Sequence, residues 1–286
     1  MHGSDRKLAR LFHPVTGKAV VAPLDHGVME GMLTGLEELP RLLELVGDFP
    51  VQGIMLNKGA LRAHLADVPV DVMAIAQLSG GTRHCQPPYA RSLMCSTAEA
   101  LRLGADMVAV QVNIANEFED RMLADMGAIV DEAHGLGVPV LALIAPKGER
   151  VINETDPSLI NHCIRLGAEL GADVTGVPYS GDARSFGRAV AASSARVLVT
   201  GGPSRPDFKS FATMVEAALG AGACGTCIGR NVFQHPNPVE AMRRIVEIVH
   251  GREVLEMAAE ALRALGVADV SADAAAAEAA RDAAGD

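Results

Sequence analysis

Residues 172–181 read ADVTGVPYSG. Val174 to Val177 form a short apolar run without polar alternation, ended by a turn at Pro178–Gly181. That pattern suits a strand covered on both faces, as in a parallel sheet. Seven further runs of this kind recur along the chain: Ala19–Leu24, Gly53–Leu56, Val72–Ala76, Met107–Val112, Pro139–Ile144, Val197–Val199 and Gly225–Ile228. Amphipathic stretches of helical period lie between them, such as 36–46, 97–103, 117–134, 157–170, 208–219 and 238–249. Asp156-Pro157 is a helix start, with a capping carboxylate before a proline at the first helical position. Eight strand–helix pairs predict an α/β fold, a TIM (β/α)8 barrel over residues 1–250. The rival is an open, doubly wound sheet, but eight regular units without a long insertion favour closure. An extra C-terminal helix (254–265) and an Ala-rich acidic tail are expected within 251–286.

The chain has 286 residues, 49% of them hydrophobic, enough for one large core. Its formal net charge is −10. This argues against nucleic acid or an anionic membrane as partner, and leaves an anionic substrate to be held by a local site. No apolar run approaches a membrane span and no signal-peptide pattern opens the chain. With an odd number of cysteines (Cys85, Cys95, Cys163, Cys224, Cys227), a cytoplasmic location is expected. Cys224 and Cys227 have CxxC spacing but fall on a predicted strand, where core packing is the better reading than a metal site. Neither a metal nor a cofactor is indicated.

In a barrel of this type, chemistry sits at the C-terminal strand ends. Gly201, Gly202 and Ser204 follow the seventh strand, and Gly229 and Arg230 the eighth. Glycine turns there expose backbone N–H groups to a phosphate, with Arg230 as a charged contact. Asp25 and His26 follow the first strand, a carboxylate beside an imidazole suited to proton transfer. Gln111 and Asn113 close the fourth strand and can orient a carbonyl or hydroxyl. The lysines are Lys7, Lys18, Lys58, Lys147 and Lys209. Only Lys58 and Lys147 stand at strand ends, as ion-pair or phosphate contacts or as imine-forming amines. Residues 82–86 after Gly80-Gly81 read as a mobile surface loop.

These residues carry a resemblance. RKLARLFHPVTGKAVVAPLDHGV (6–28), NKGALR (57–62), LGADMVAVQVNIANEFEDRML (103–123), DPSLINHCIRLGAELGADV (156–174), PYSGD (178–182), GGPSR (201–205) and IGRNVFQHPNP (228–238) resemble the archaeal-type class I aldolases of the DeoC/LacD superfamily. The likeness covers about residues 5–250 and is nearest the 2-amino-3,7-dideoxy-D-threo-hept-6-ulosonate synthase and fructose-bisphosphate aldolase branches. It implies a TIM barrel binding a phosphorylated ketose, an imine-forming lysine on the sixth strand, a tyrosine at the end of the fifth and an Asp after the first. It also implies a homo-oligomer, such as a ring. Asp25 matches that Asp, and Gly202 and Arg230 match the phosphate loops. The lysine position is Gly176, the tyrosine position Ala145, and a histidine of the fourth strand is Gln111. Tyr179, three residues past the lysine position, is a turn residue or a substitute proton donor. Three readings stay open: an aldolase-like enzyme on a phosphorylated ketose or keto acid that dispenses with the strand-six imine (C–C lyase or synthase, isomerase or cyclase), an imine moved to Lys58 or Lys147, or a non-catalytic phosphosugar binder.

Overall fold

The computed structural model describes residues 3–205 and 207–264. Eight parallel strands close into a barrel: β1 (Ala19–Pro23), β2 (Gly53–Asn57), β3 (Met73–Gln77), β4 (Met107–Ile114), β5 (Val140–Pro146), β6 (Val174–Val177), β7 (Arg196–Thr200) and β8 (Gly225–Cys227). β1 pairs with both β2 and β8, which completes the ring and sets the open sheet aside. All eight expected strands are present, with ends shifted by a residue or two.

The strands divide their side chains between two cores. Leu42, Ile54, Leu56, Val108, Val110, Ile144 and Phe186 are buried between barrel and helices. Val21, Met55, Met73, Ile75, Met107, Leu141, Val174, Leu198 and Cys227 fill the barrel itself. Leu11 and Phe12, after the helix Gly3–Arg10, plug its floor. The Arg196 guanidinium lies 4.1 Å from the centre of the Phe12 ring.

Helix starts follow local chemistry. Asp156 accepts hydrogen bonds from the Ser158 and Leu159 N–H groups, and Asp207 from Lys209 N–H. The helix expected from 36 begins at Leu39, after Gly35 at φ 82° and with Pro40 in the first turn. A small antiparallel pair, Ser79–Gly80 with Ser92–Leu93, escaped sequence reading because two-residue strands carry no periodicity. It ties both ends of the expected mobile loop to the barrel, leaving residues 82–86 exposed. The added helix runs Arg252–Ala264, and the acidic tail lies outside the described residues. Among the described residues no helix is long and apolar enough to cross a membrane.

Candidate active site

The C-terminal strand ends surround a cavity of about 250 Å³. Its wall follows from inward alternation on each strand. Gly176 faces inward, since a Cβ there would lie 2.6 Å from Leu143 Cδ2 and 3.3 Å from Thr200 Cγ2. Thr175 faces the other way, packed on Gly167 of the helix Pro157–Glu169. Met55, Leu143, Ala145, Gly176, Thr200 and Cys227 therefore give the cavity a largely apolar floor. Burial pushes the Cys227 thiol well up, so it stays protonated.

Polar groups gather above that floor. The Asp25 and His26 side chains are 18% and 17% exposed, with Oδ1 and Nδ1 3.9 Å apart. Burial raises the Asp25 carboxyl above the usual range, opposed by His26, Arg230 and Arg91. Burial lowers His26 more than Asp25 raises it, so its neutral form is favoured near pH 7. Asn57 Nδ2 holds the Asp25 carbonyl at 2.6 Å. His26 Nδ1 and Arg230 Nε are buried and have no hydrogen-bond partner among the described residues.

Gly229 has to be glycine, because a Cβ would meet His26 Cε1 at 2.7 Å and the Pro23 carbonyl at 2.8 Å. Gly202 turns its loop at φ 65°. Asn231 joins the two loops, donating to the Gly201 and Pro203 carbonyls and accepting from Arg205 N–H. Arg230 faces Glu30 at 3.8 Å.

The structure brings together Asp25, His26, Gln111, Lys147, Gly176, Tyr179, Gly201, Gly202, Gly229 and Arg230 around one cavity. Three expected residues stand apart. Lys58 opens the helix Lys58–His64 and lies 3.3 Å from Glu99 Oε2, lining a different hollow beside Leu36 and Met94. Its ammonium pairs with Glu99 of the helix Thr97–Arg102, and Lys58 does not line the cavity. Asn113 is fully buried and donates to the Tyr89 carbonyl, holding that loop rather than lining the cavity. Ser204 is exposed between Pro203 and Arg205, which do line the cavity. Tyr179 also packs edge-on against Phe186, with ring centres 5.1 Å apart. Burial and Asp182 raise its phenol.

Among the described residues Lys147 is the one lysine lining the cavity. It follows a tight β4–β5 junction, in which Asn116 Nδ2 clamps the Asn113 and Lys147 carbonyls and Ala115 sits at φ 66°. Gly176 pairs with Leu143, so Lys147 emerges four residues further along. That is about 13 Å of strand, at about 3.3 Å per residue.

Arg91 was missed. It is 4% exposed and reaches Gln111 Oε1 at 3.0 Å. Strand-end placement points to its whole loop, but nothing in the sequence ranks Arg91 above Arg83 or His84. The short hairpin folds the loop back and buries it.

The DeoC/LacD family aldolase pattern matches residues 19–235 of this chain. The chain belongs to the DeoC/LacD aldolase family. Within that family, the chain is 35% identical over 244 residues to a 2-amino-4,5-dihydroxy-6-oxo-7-(phosphonooxy)heptanoate synthase of Streptomyces griseus, covering 85% of this chain and 89% of the relative. It is 33% identical over 257 residues to 2-amino-3,7-dideoxy-D-threo-hept-6-ulosonate synthase 1 of Archaeoglobus fulgidus, covering 90% and 94%. Among solved structures of the family, it superposes with a TM-score of 0.80 on an archaeal fructose-1,6-bisphosphate aldolase whose catalytic Lys is covalently bound to a carbinolamine intermediate. The identity is 29%, with 87% of this chain and 100% of that chain covered.

Proposed function

We propose that this aldolase-like enzyme makes or breaks a carbon–carbon bond next to the ketone of a phosphorylated ketose or keto acid, without an imine on β6. The observation that carries this is the cavity's composition. A buried carboxylate with a raised proton affinity stands over an apolar floor, where Gly176 offers no amine. The substrate's phosphate fits the glycine turns at Gly202 and Gly229 with Arg230. The Asp25 carboxylate takes a proton from the carbon beside the ketone, and the C–H electron pair becomes an enolate. The enolate carbon then attacks an aldehyde, whose oxygen takes up a proton. Run backwards, the same steps cleave the bond.

A second reading rests on Lys147, the cavity's one lysine among the described residues, as an imine-forming amine. Its place beyond the end of β5, well above Gly176, favours a phosphate or enolate-oxygen contact instead. The family resemblance supports a homo-oligomer as the working assembly.

The test uses dihydroxyacetone phosphate in deuterated water. Enzyme-dependent loss of the proton signal at the carbon beside the ketone is expected, and retention of Asp25-independent binding alone would favour a non-catalytic binder.

A further inference from the structure

Arg91 presents a puzzle of burial. A guanidinium 4% exposed is expected to face a carboxylate. Its hydrogen-bond partners are instead Gln111 Oε1 at 3.0 Å, the Pro88 and Ala90 carbonyls at 2.9 and 2.8 Å, and Met29 Sδ at 3.7 Å. Two of these, Gln111 and Met29, line the cavity. The cation therefore stands directly behind the wall of the site.

Arginine only donates hydrogen bonds, so it fixes which end of the Gln111 amide faces it. The oxygen must point to Arg91, and the NH2 must point away. One of those N–H groups is directed at Asn113 Oδ1, 3.4 Å off. Asn113 is held in turn by the Tyr89 carbonyl at 2.6 Å. The second N–H makes no hydrogen bond among the described residues, and Gln111 lines the cavity. An N–H held at that place is a donor for a developing oxyanion.

We infer that Arg91 is a positioning residue: it orients Gln111 to donate to the enolate oxygen of the substrate. This rests on the enolate chemistry proposed above. The charged and titratable groups around Asp25 are His26 on its own loop, Arg230 and Cys227 from β8 and its loop, and Arg91 from the loop after β3. Asp25, Cys85 and Glu30 favour the charged Arg91 against its burial.

The experiment follows deuterium exchange into dihydroxyacetone phosphate across pH for the full-length protein and three variants, with melting temperatures alongside. Arg91→Met is expected to slow exchange on the order of 100-fold, the scale of one lost oxyanion donor. Its acid limb is expected at higher pH, because the cation that favoured the Asp25 carboxylate is gone. Arg91→Lys keeps a charge but loses the fork, so the rate falls while the acid limb stays. Gln111→Glu still accepts from Arg91 but offers no N–H, and is expected to slow exchange with its melting temperature retained. Lower melting temperatures with unchanged rates and pH limbs would make Arg91 merely structural and overturn the inference. If Arg91→Met does not fold, Gln111→Glu decides alone: a slow, stable variant supports the inference and a fast one overturns it. Wild-type protein that exchanges nothing removes the functional reading, and this inference with it. Exchange by the wild type with an unchanged rate in Arg91→Met removes the inference alone.

Discussion

The two ends of this barrel solve the same problem differently. At the floor, polar groups are matched. His250 is 6% exposed, yet its ring bonds Gln52 Oε1 and Thr16 Oγ1, each at 2.9 Å. Gln52 closes the set by donating to the Pro50 carbonyl and accepting from Val20 N–H. That network leaves these groups satisfied. At the mouth, His26 Nδ1 and Arg230 Nε are buried without hydrogen-bond partners among the described residues, and Asp25 carries a raised proton affinity. Unmatched buried groups are costly, and those at the mouth are placed where a substrate can complete them. The comparison sets a satisfied end against an open one.

The sharpest break comes from swapping the two kinds of change. Asp25→Asn at the mouth should slow exchange into dihydroxyacetone phosphate by on the order of 100-fold or more. Its melting temperature should hold or rise, because a buried carboxylate is replaced by a neutral isostere. Leu11→Ala at the floor should do the opposite. It empties part of a fully buried plug, costing about 2–5 kcal/mol in chemical denaturation with activity of the folded fraction unchanged.

His250 sharpens the comparison through pH. Burial, then the His13 and Lys18 charges, lower its pKa from 6.5 to about 4. The folded state thus binds the proton less readily than the unfolded chain. Stability from the neutral ring is fully present above pH 6.5 and is lost as pH falls towards 4. Denaturation at several pH values should show a smaller loss over this window in a His250→Gln variant. The smallest effect belongs to Lys58. Its Glu99 pair is 46% and 38% exposed, so Lys58→Ala should change stability by under about 1 kcal/mol and leave exchange untouched.

Much of the floor-to-mouth layout is legible in the sequence. Non-alternating apolar runs locate all eight strands, and the strand-end rule points to Asp25, His26, Lys147, Gly202, Gly229 and Arg230, which line one cavity. Lys58 looked equivalent to Lys147 because both follow a strand in sequence. Their three-dimensional surroundings separate them: Lys58 pairs with Glu99, and Lys147 lines the cavity. Arg91 stayed hidden because a loop that folds back on itself has no period to read. Asn231 was legible as part of a loop, but its bonds to Gly201 and Pro203 span about 30 residues and depend on β7 and β8 being neighbours. Gly176 could be placed at the lysine position by resemblance. Only the structure shows Leu143 occupying the space its side chain would need.

The central claim, enolate chemistry without an imine, is tested most directly by borohydride reduction. The protein is incubated with dihydroxyacetone phosphate, a portion is checked for deuterium exchange, and the rest is reduced and weighed intact. The account predicts continuing exchange and an unchanged mass. A reduced adduct mapped to Lys147 would contradict it, and would make this chain an imine-forming aldolase whose amine has moved from β6 to the end of β5.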